Sequence, residues 1–352
     1  MSKRVRFSIW LLVCSALALA SLWSCSTLPI NQDVKRGVIY EDGRFHSPWG
    51  TIDKSLTDVL SWRWQREDPG WPESVAIEQK TQLPSASDGD LSITYINHAT
   101  LLIRLNGVTI LTDPIYAERA SFVSFWGPKR VHPPGIAFDD LPPIDVVVIS
   151  HNHYDHLDVE TLEKLQQRDQ PQFFVGLGNE VLLKDAGIER VRPMDWGESV
   201  FVRGVKLIFA PAQHWSARGL FDRNKTLWGS FVIMDKTHRV YFGGDSGYAP
   251  HFQHIGESYG PFDVALLPIG AYEPRWFMKH QHISPEEAAQ AHIDLRAKHS
   301  IGMHFDTFPL ADEPFGAAGP AFLKQRQQKQ LSNGSLLVLK PGESWSLPTP
   351  AI

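Results

Sequence analysis

The run His151-Asn152-His153-Tyr154-Asp155-His156, placed directly after the apolar stretch DVVVIS at 145–150, restricts this chain more than any other feature. The apolar stretch has the continuous Val/Ile character of a strand buried on both faces. Three imidazoles and a carboxylate at the tip of such a strand are hard to explain by packing. Neutral imidazole and carboxylate are ligands for Zn, and also for Fe or Mn. His151 and His153, two apart in an extended turn, can converge on one ion. Asp155 and His156 point the other way, toward a second. Two ions need more than four ligands, so the rest of the chain must supply them.

Thiolate is not among the remaining options. The chain has two cysteines, Cys14 and Cys25, and both lie in or at the end of an N-terminal leader. The body therefore has no disulfide, and any metal site in it rests on imidazole and carboxylate alone. Three isolated residues qualify, each after an apolar strand. His214 follows Val205 to Ala210, Asp245 lies in the glycine-rich GGDSG at 243–247, and His304 ends a short strand from Ile301. Glycines beside Asp245 let the backbone crowd a ligand.

The leader is a targeting segment. Lys3, Arg4 and Arg6 precede an apolar or small-residue run from Phe7 to Leu22, an order that fits a secretory signal. Leu22-Trp23-Ser24-Cys25 resembles a bacterial lipoprotein box with Cys25 as the lipidated residue; the other reading is an uncleaved anchor. Both place the body of the chain in the cell envelope, tethered to a membrane, at the outer membrane or facing the periplasm. Residues 26–90 read as a linker and an N-terminal arm around Leu56 to Trp64, and 91–345 as the domain that carries the histidine and carboxylate cluster. Setting aside the leader cations leaves 31 Lys and Arg against 39 Asp and Glu. That acidic balance argues against nucleic acid as a partner.

Within the body, strands are expected at Leu91 to Tyr95, Thr100 to Arg104 and Val108 to Thr112, the last two joined by an Asn106-Gly107 hairpin turn. After the buried strand, Asp158 should cap a helix from Val159 to Gln167. Strands follow near 172–175, 205–210, 228–234, 240–243 and 264–268. Ser284-Pro285-Glu286-Glu287 opens a helix to about Lys298, and 301–304 and 335–339 are strands. Strands mixed with a few helices imply an α/β domain with helices covering packed sheets.

H-x-H-x-D-H followed by a lone His, a lone Asp and a last His resembles the metallo-β-lactamase superfamily. The resemblance implies a four-layer αββα sandwich and two Zn2+ ions. His151, His153 and His214 would hold the first, and Asp155, His156 and His304 the second, with Asp245 bridging. A narrower resemblance spans Asn97 to Leu339. It is carried by His98-Ala99-Thr100, Leu111-Thr112-Asp113-Pro114, Gly127-Pro128-Lys129-Arg130, Gln213-His214-Trp215, Leu227-Trp228-Gly229-Ser230, LPIGAYEPRWFM at 267–278, Gln281-His282 and Thr307-Phe308. These stretches resemble N-acylphosphatidylethanolamine-hydrolysing phospholipase D and its bacterial relatives. The pattern is departed from at Asn97 and Asp306, where glycine is common.

This second resemblance implies a phospholipase D-type phosphodiesterase acting on a phospholipid at a membrane surface, with water activated between the ions as nucleophile. Asp155, Asp245 and His282 would be catalytic, and Tyr154, Gln281 and His282 would contact substrate. A homodimer is left open. The apolar stretch Phe122, Val123, Phe125 and Trp126, running into Lys129 and Arg130, is either core or a segment that dips into a bilayer. A lactonase or other ester hydrolase on the same scaffold is the alternative, because fold does not dictate substrate.

Overall fold

Successive residues of a strand face opposite ways, and in the run VVVI this alternation assigns two neighbouring layers. The computed structural model describes residues 38–50, 54–66, 69–83 and 91–347. Val146 and Val148 join a core with Leu207, Phe209, Phe231 and Ile233. Val147 and Ile149 pack instead with Leu162 and Leu165 of a helix. A strand apolar on both faces is thus the inner layer of a stack.

Ile39–Glu41 (β1) and Arg44–His46 (β2) form a hairpin. One large sheet holds Leu91–Asn97 (β3), Thr100–Leu105 (β4), Val108–Thr112 (β5), Val146–Ile149 (β6), Gln172–Gly176 (β7), Val191–Met194 (β8) and Ser344–Leu347 (β16), in the order β16-β3-β4-β5-β6-β7-β8. The other holds Ser199–Val202 (β9), Val205–Ala210 (β10), Ser230–Met234 (β11), Arg239–Phe242 (β12), Val264–Pro268 (β13), His299–Met303 (β14) and Leu336–Leu337 (β15), in the order β15-β14-β13-β12-β11-β10-β9. The helices are Leu56–Gln65 (α1), Val159–Arg168 (α2), Asn179–Asp185 (α3), His251–Tyr259 (α4), Arg275–Met278 (α5), Pro285–Asp294 (α6) and Ala318–Gln328 (α7).

Three apolar cores lie between the layers. One fills the space between the sheets, one packs the first sheet on α2 and α3, and one packs the second sheet on α4, α6 and α7. This is the αββα sandwich expected from the sequence. Each fully buried Leu, Ile or Phe contributes about 1.5–3 kcal/mol. The inter-sheet core, with Phe209, Phe231, Phe242 and Trp228 all buried, therefore locks the two sheets and the loops at their edge.

Several local expectations change. Asp158 stands at the N-cap position of α2 without capping it. Its Oδ2 accepts from the backbone N–H groups of Tyr116 and Ala117 and from Thr161 Oγ1, so a tertiary clamp displaces the local cap. α6 has the expected start, a capping box between Ser284 and Glu287, but stops at Asp294 rather than Lys298. Arg296 then takes φ 56° and turns the chain into β14. The strand expected at 335–339 shrinks to Leu336–Leu337. β16 was not foreseen; it pairs with β3 and runs two residues past the expected boundary at 345. Asn106 and Gly107 adopt φ 50° and 68°, as a primed hairpin turn requires.

The N-terminal arm is docked on the body. Phe45 enters the inter-sheet core. Trp62 stacks on Phe277 at 4.9 Å and donates from Nε1 to Asp312 Oδ2 at 2.8 Å. The leader, with Cys14 and Cys25, lies outside the described residues. Among those described, no helix is long and apolar enough to cross a membrane.

Candidate metal centre

β5 and β6 in one sheet and β12, β13 and β14 in the other are in parallel pairs, so their C-terminal ends open at one edge. The loops leaving these ends, together with the one that leaves β10 and carries His214, hold the histidines and carboxylates. The 151–156 loop stays compact because His153 O accepts from the N–H groups of His156 and Leu157, a single helical turn that fans the side chains. Gly244, at φ 56°, lies against Ser150. A Cβ there would meet the Ser150 Cβ at 2.5 Å, so only glycine lets the Asp245 segment approach the loop.

The structure brings all seven expected ligands together. His151 Nε2 lies 2.8 Å from His153 Nδ1, and His214 Nε2 lies 3.3 Å from the same atom. Beside this trio, Asp155 Oδ2 lies 3.3 Å from His156 Nε2 and 3.2 Å from His304 Nε2. Asp245 Oδ2 lies between the groups. It is 3.1 Å from His156 Nε2 and 3.2 Å from His304 Nε2, and 3.9 and 3.8 Å from His151 Nε2 and His214 Nε2.

A second layer holds these groups in place. Asp113 Oδ2 receives His156 Nδ1 at 2.7 Å, and the same carboxylate accepts Ser150 N and Oγ. His214 Nδ1 donates to the Gln281 carbonyl at 2.9 Å. His98 Nε2 lies 2.9 Å from Asp155 Oδ2, and its ring lies 3.9 Å from that of His304. Such partners orient a ligand ring and select its tautomer. Asp113 and His98 both lie in motifs of the sequence, LTDP and HAT, whose part in the site only the geometry reveals. The signal was present; only its geometric meaning was missing. His98, Asp113, Ala271, His304 and Asp306 all take positive φ. Non-glycine residues so held cost energy and cluster at functional sites.

The electrostatics match the donor set. Burial holds His151 and His214 well below the usual histidine range, and His153 at about 3, so this trio is neutral and its lone pairs are available. Burial opposes charge on His156 and His304 too, but Asp245 and Asp155 outweigh it: His156 is pushed well up and His304 reaches about 9. Burial also resists ionisation of Asp245 and Asp155, and His156 foremost overcomes it, leaving both carboxyls well below the carboxylate range. His153 Nε2, His156 Nε2, His304 Nδ1 and Asp245 Oδ1 are buried without a hydrogen-bond partner. Unpaired donors and acceptors of this kind are costly in a dry interior. The neutral trio and the ionised carboxylates fit divalent cations as they stand, and His156 and His304 must give up a proton to donate to one.

The expected substrate-contact residues divide. His282 Nδ1 is buried and unpartnered, 3.8 Å from Asp245 Oδ2, with its ring 5.3 Å from that of His214. Gln281 is buried. Its side-chain amide meets Met278 Sδ at 3.4 Å, and its carbonyl is what reaches His214. Tyr154 donates its hydroxyl to the Arg218 carbonyl at 2.8 Å and so belongs to the wall of the site. Asp306 turns its carboxylate to Gly316 N, closing a loop at a left-handed position where glycine would be at ease.

Residues 108–305 match the Beta-lactamase superfamily domain. The chain belongs to this superfamily and is a metal-dependent hydrolase of its fold. Within it, the chain is 42% identical to N-acyl-phosphatidylethanolamine-hydrolyzing phospholipase D 1 of Caenorhabditis elegans, over 89% of this chain and 93% of that protein. The mitochondrial N-acyl-phosphatidylethanolamine-hydrolyzing phospholipase D of Saccharomyces cerevisiae is 37% identical over 77% of this chain and 59% of its own length. Among solved structures, a metallo hydrolase from the archaeon Ignicoccus hospitalis has a TM-score of 0.57 at 26% identity, covering 73% of this chain and 98% of that one.

Proposed function

We propose that this chain is a binuclear zinc phosphodiesterase of phospholipase D type, acting on N-acylphosphatidylethanolamine-like phospholipids. The observation that carries the reading is the position of Asp245 Oδ2 between His156 and His304 on one side and His151 and His214 on the other. His151, His153 and His214 would hold one ion, Asp155, His156 and His304 the other, and Asp245 both. When bound, such a pair supplies a Lewis acid for phosphoryl oxygens and a nucleophile from water at neutral pH. Identity to the worm and yeast phospholipases supports the substrate class.

The chain's own residues do the rest. Burial keeps His282 neutral, at about 4, so one ring nitrogen can donate to a phosphoryl oxygen while the ring stays uncharged beside the cations. Asp113 keeps His156 in one tautomer. Tyr154 and Phe122, with rings 6.3 Å apart, form a wall at the mouth.

The rim supports a membrane surface as partner. Phe122, Phe125 and Trp126 are exposed, Phe125 to 81%, and Leu220 and Phe221 are exposed at the tip of a second loop. The 122–126 aromatics are therefore not core. Arg130 is not free for a head group: it is buried, donates to the Ile115 and Ala117 carbonyls and stacks over Phe308. Lys129, paired with Glu118, is the exposed cation of that stretch.

The test is metal analysis of the purified chain, beside mass spectrometry of products from vesicles containing N-acylphosphatidylethanolamine. Two zinc equivalents with release of phosphatidic acid and N-acylethanolamine are expected. Turnover of lactones or carboxyl esters in place of phosphodiesters would overturn the substrate assignment.

A further inference from the structure

Between the metal-ligand loop and the exposed loop at 216–226 lies one arginine that the catalytic reading does not use. Arg218 Nη1 donates to Asn152 O at 2.9 Å and to Leu157 O at 2.8 Å, the two ends of the segment that carries His153, Asp155 and His156. Its guanidinium carbon lies 3.9 Å from the centre of the Tyr154 ring, and the Tyr154 hydroxyl returns to the Arg218 carbonyl. The loop thus wraps the guanidinium on three sides.

The segment that presents Arg218 is itself braced. Asp222 accepts from the N–H groups of Arg218 and Gly219, Ser216 Oγ donates to Thr226 O, and Asn224 N donates to Ser216 O. Arg218 follows His214 by four residues. It therefore joins the two separate stretches that supply the histidine trio, one from each sheet. Burial works against its charge, and Tyr154, Asp158 and Asp222 support it. A planar fork with five donors suits two carbonyls and an aromatic face together, which a lysine cannot reproduce.

We infer that Arg218 is a positioning residue that staples the 152–157 loop to the His214 segment and so sets the spacing of His151, His153 and His214. This rests on the metal reading above. Loss of the staple should act on the ion held by those three histidines more than on its neighbour. Arg218→Ala and Arg218→Lys are compared with the unaltered chain by zinc titration against a chromophoric chelator, total metal content and thermal unfolding of the metal-free protein. For Arg218→Ala, one of the two zinc-binding steps should weaken roughly 10–100-fold, the scale on which partners of ligands act. Arg218→Lys, keeping the charge and one carbonyl contact, should fall between. Should Arg218→Ala fail to fold, the lysine variant decides by the same titration.

A merely structural role would lower the unfolding midpoint of the metal-free protein while both zinc steps stay unchanged, and that result overturns the inference. Two unaltered steps without any loss of midpoint overturn it as well. If the unaltered chain binds no divalent metal, the metal reading falls and takes this inference with it.

Discussion

His156 on the floor of the site is fully buried, and its two nitrogens face Asp113 on one side and Asp155 and Asp245 on the other. Phe125 on the rim is 81% exposed. Both stand on loops at the same edge of the sandwich, yet different physics governs them. On the floor, each polar group removed from water must be matched, so one change leaves a buried partner unpaired. On the rim, apolar surface stays in water, and its contribution to folding is small. Such surface gains from contact with a second apolar phase. The floor is therefore built to hold charge out of water, and the rim to present apolar surface to it.

The sharpest way to break this contrast is at Asp245. Asp245→Asn removes the charge shared by both donor groups. Metal content and turnover should fall together, turnover by about 10³-fold or more, the upper range for groups that touch the reacting centre. His282→Ala, on the same floor, should lose turnover on that scale while keeping its metal. Retained activity in either variant, with metal content measured beside it, would contradict the roles given to them.

Asp113→Ala comes next. It strands His156 Nδ1 and the Ser150 N–H, and leaves the Ser150 hydroxyl with His151 Nδ1 alone. Zinc affinity should fall roughly 10–100-fold, and chemical denaturation should register a loss of about 1–3 kcal/mol for the unpaired groups. A variant with full stability and unaltered zinc affinity would show that the second layer is dispensable.

The smallest effect on the folded chain is expected at the rim. Phe125→Ser with Trp126→Ser should change stability by no more than about 0.5 kcal/mol and leave turnover of a soluble phosphodiester as it was. Sedimentation with phospholipid vesicles should drop about tenfold or more, since two exposed aromatic rings are withdrawn from the contact. If vesicle binding is unchanged, the rim has no part in reaching the membrane.

Much of this was legible in local sequence. The VVVI run, the HNHYDH loop and the Asn106-Gly107 turn are short-range features whose period and turn chemistry act within a few residues. The structure agrees with the strands, the layer order and the hairpin they imply. Where the structure departs from these local rules, a distant contact overrules them. Asp158 left its helix cap for the backbone at 116–117, and β16 paired with β3 from the far end of the chain. The pairing of β16 depends on a partner about 250 residues away.

The sequence alone determined the kinds of donor in the site, because a body without cysteine can offer a metal only imidazole and carboxylate. It also determined the strand tips from which those donors project, through the apolar runs that precede them. Tertiary structure alone decided that Asp245 Oδ2 falls between two donor groups, that Asp113 and His98 brace His156 and Asp155, and that Gln281 meets His214 through its carbonyl. Those relations depend on how two sheets meet. The inter-sheet core sets that meeting to within ångströms, a scale that residue order does not record.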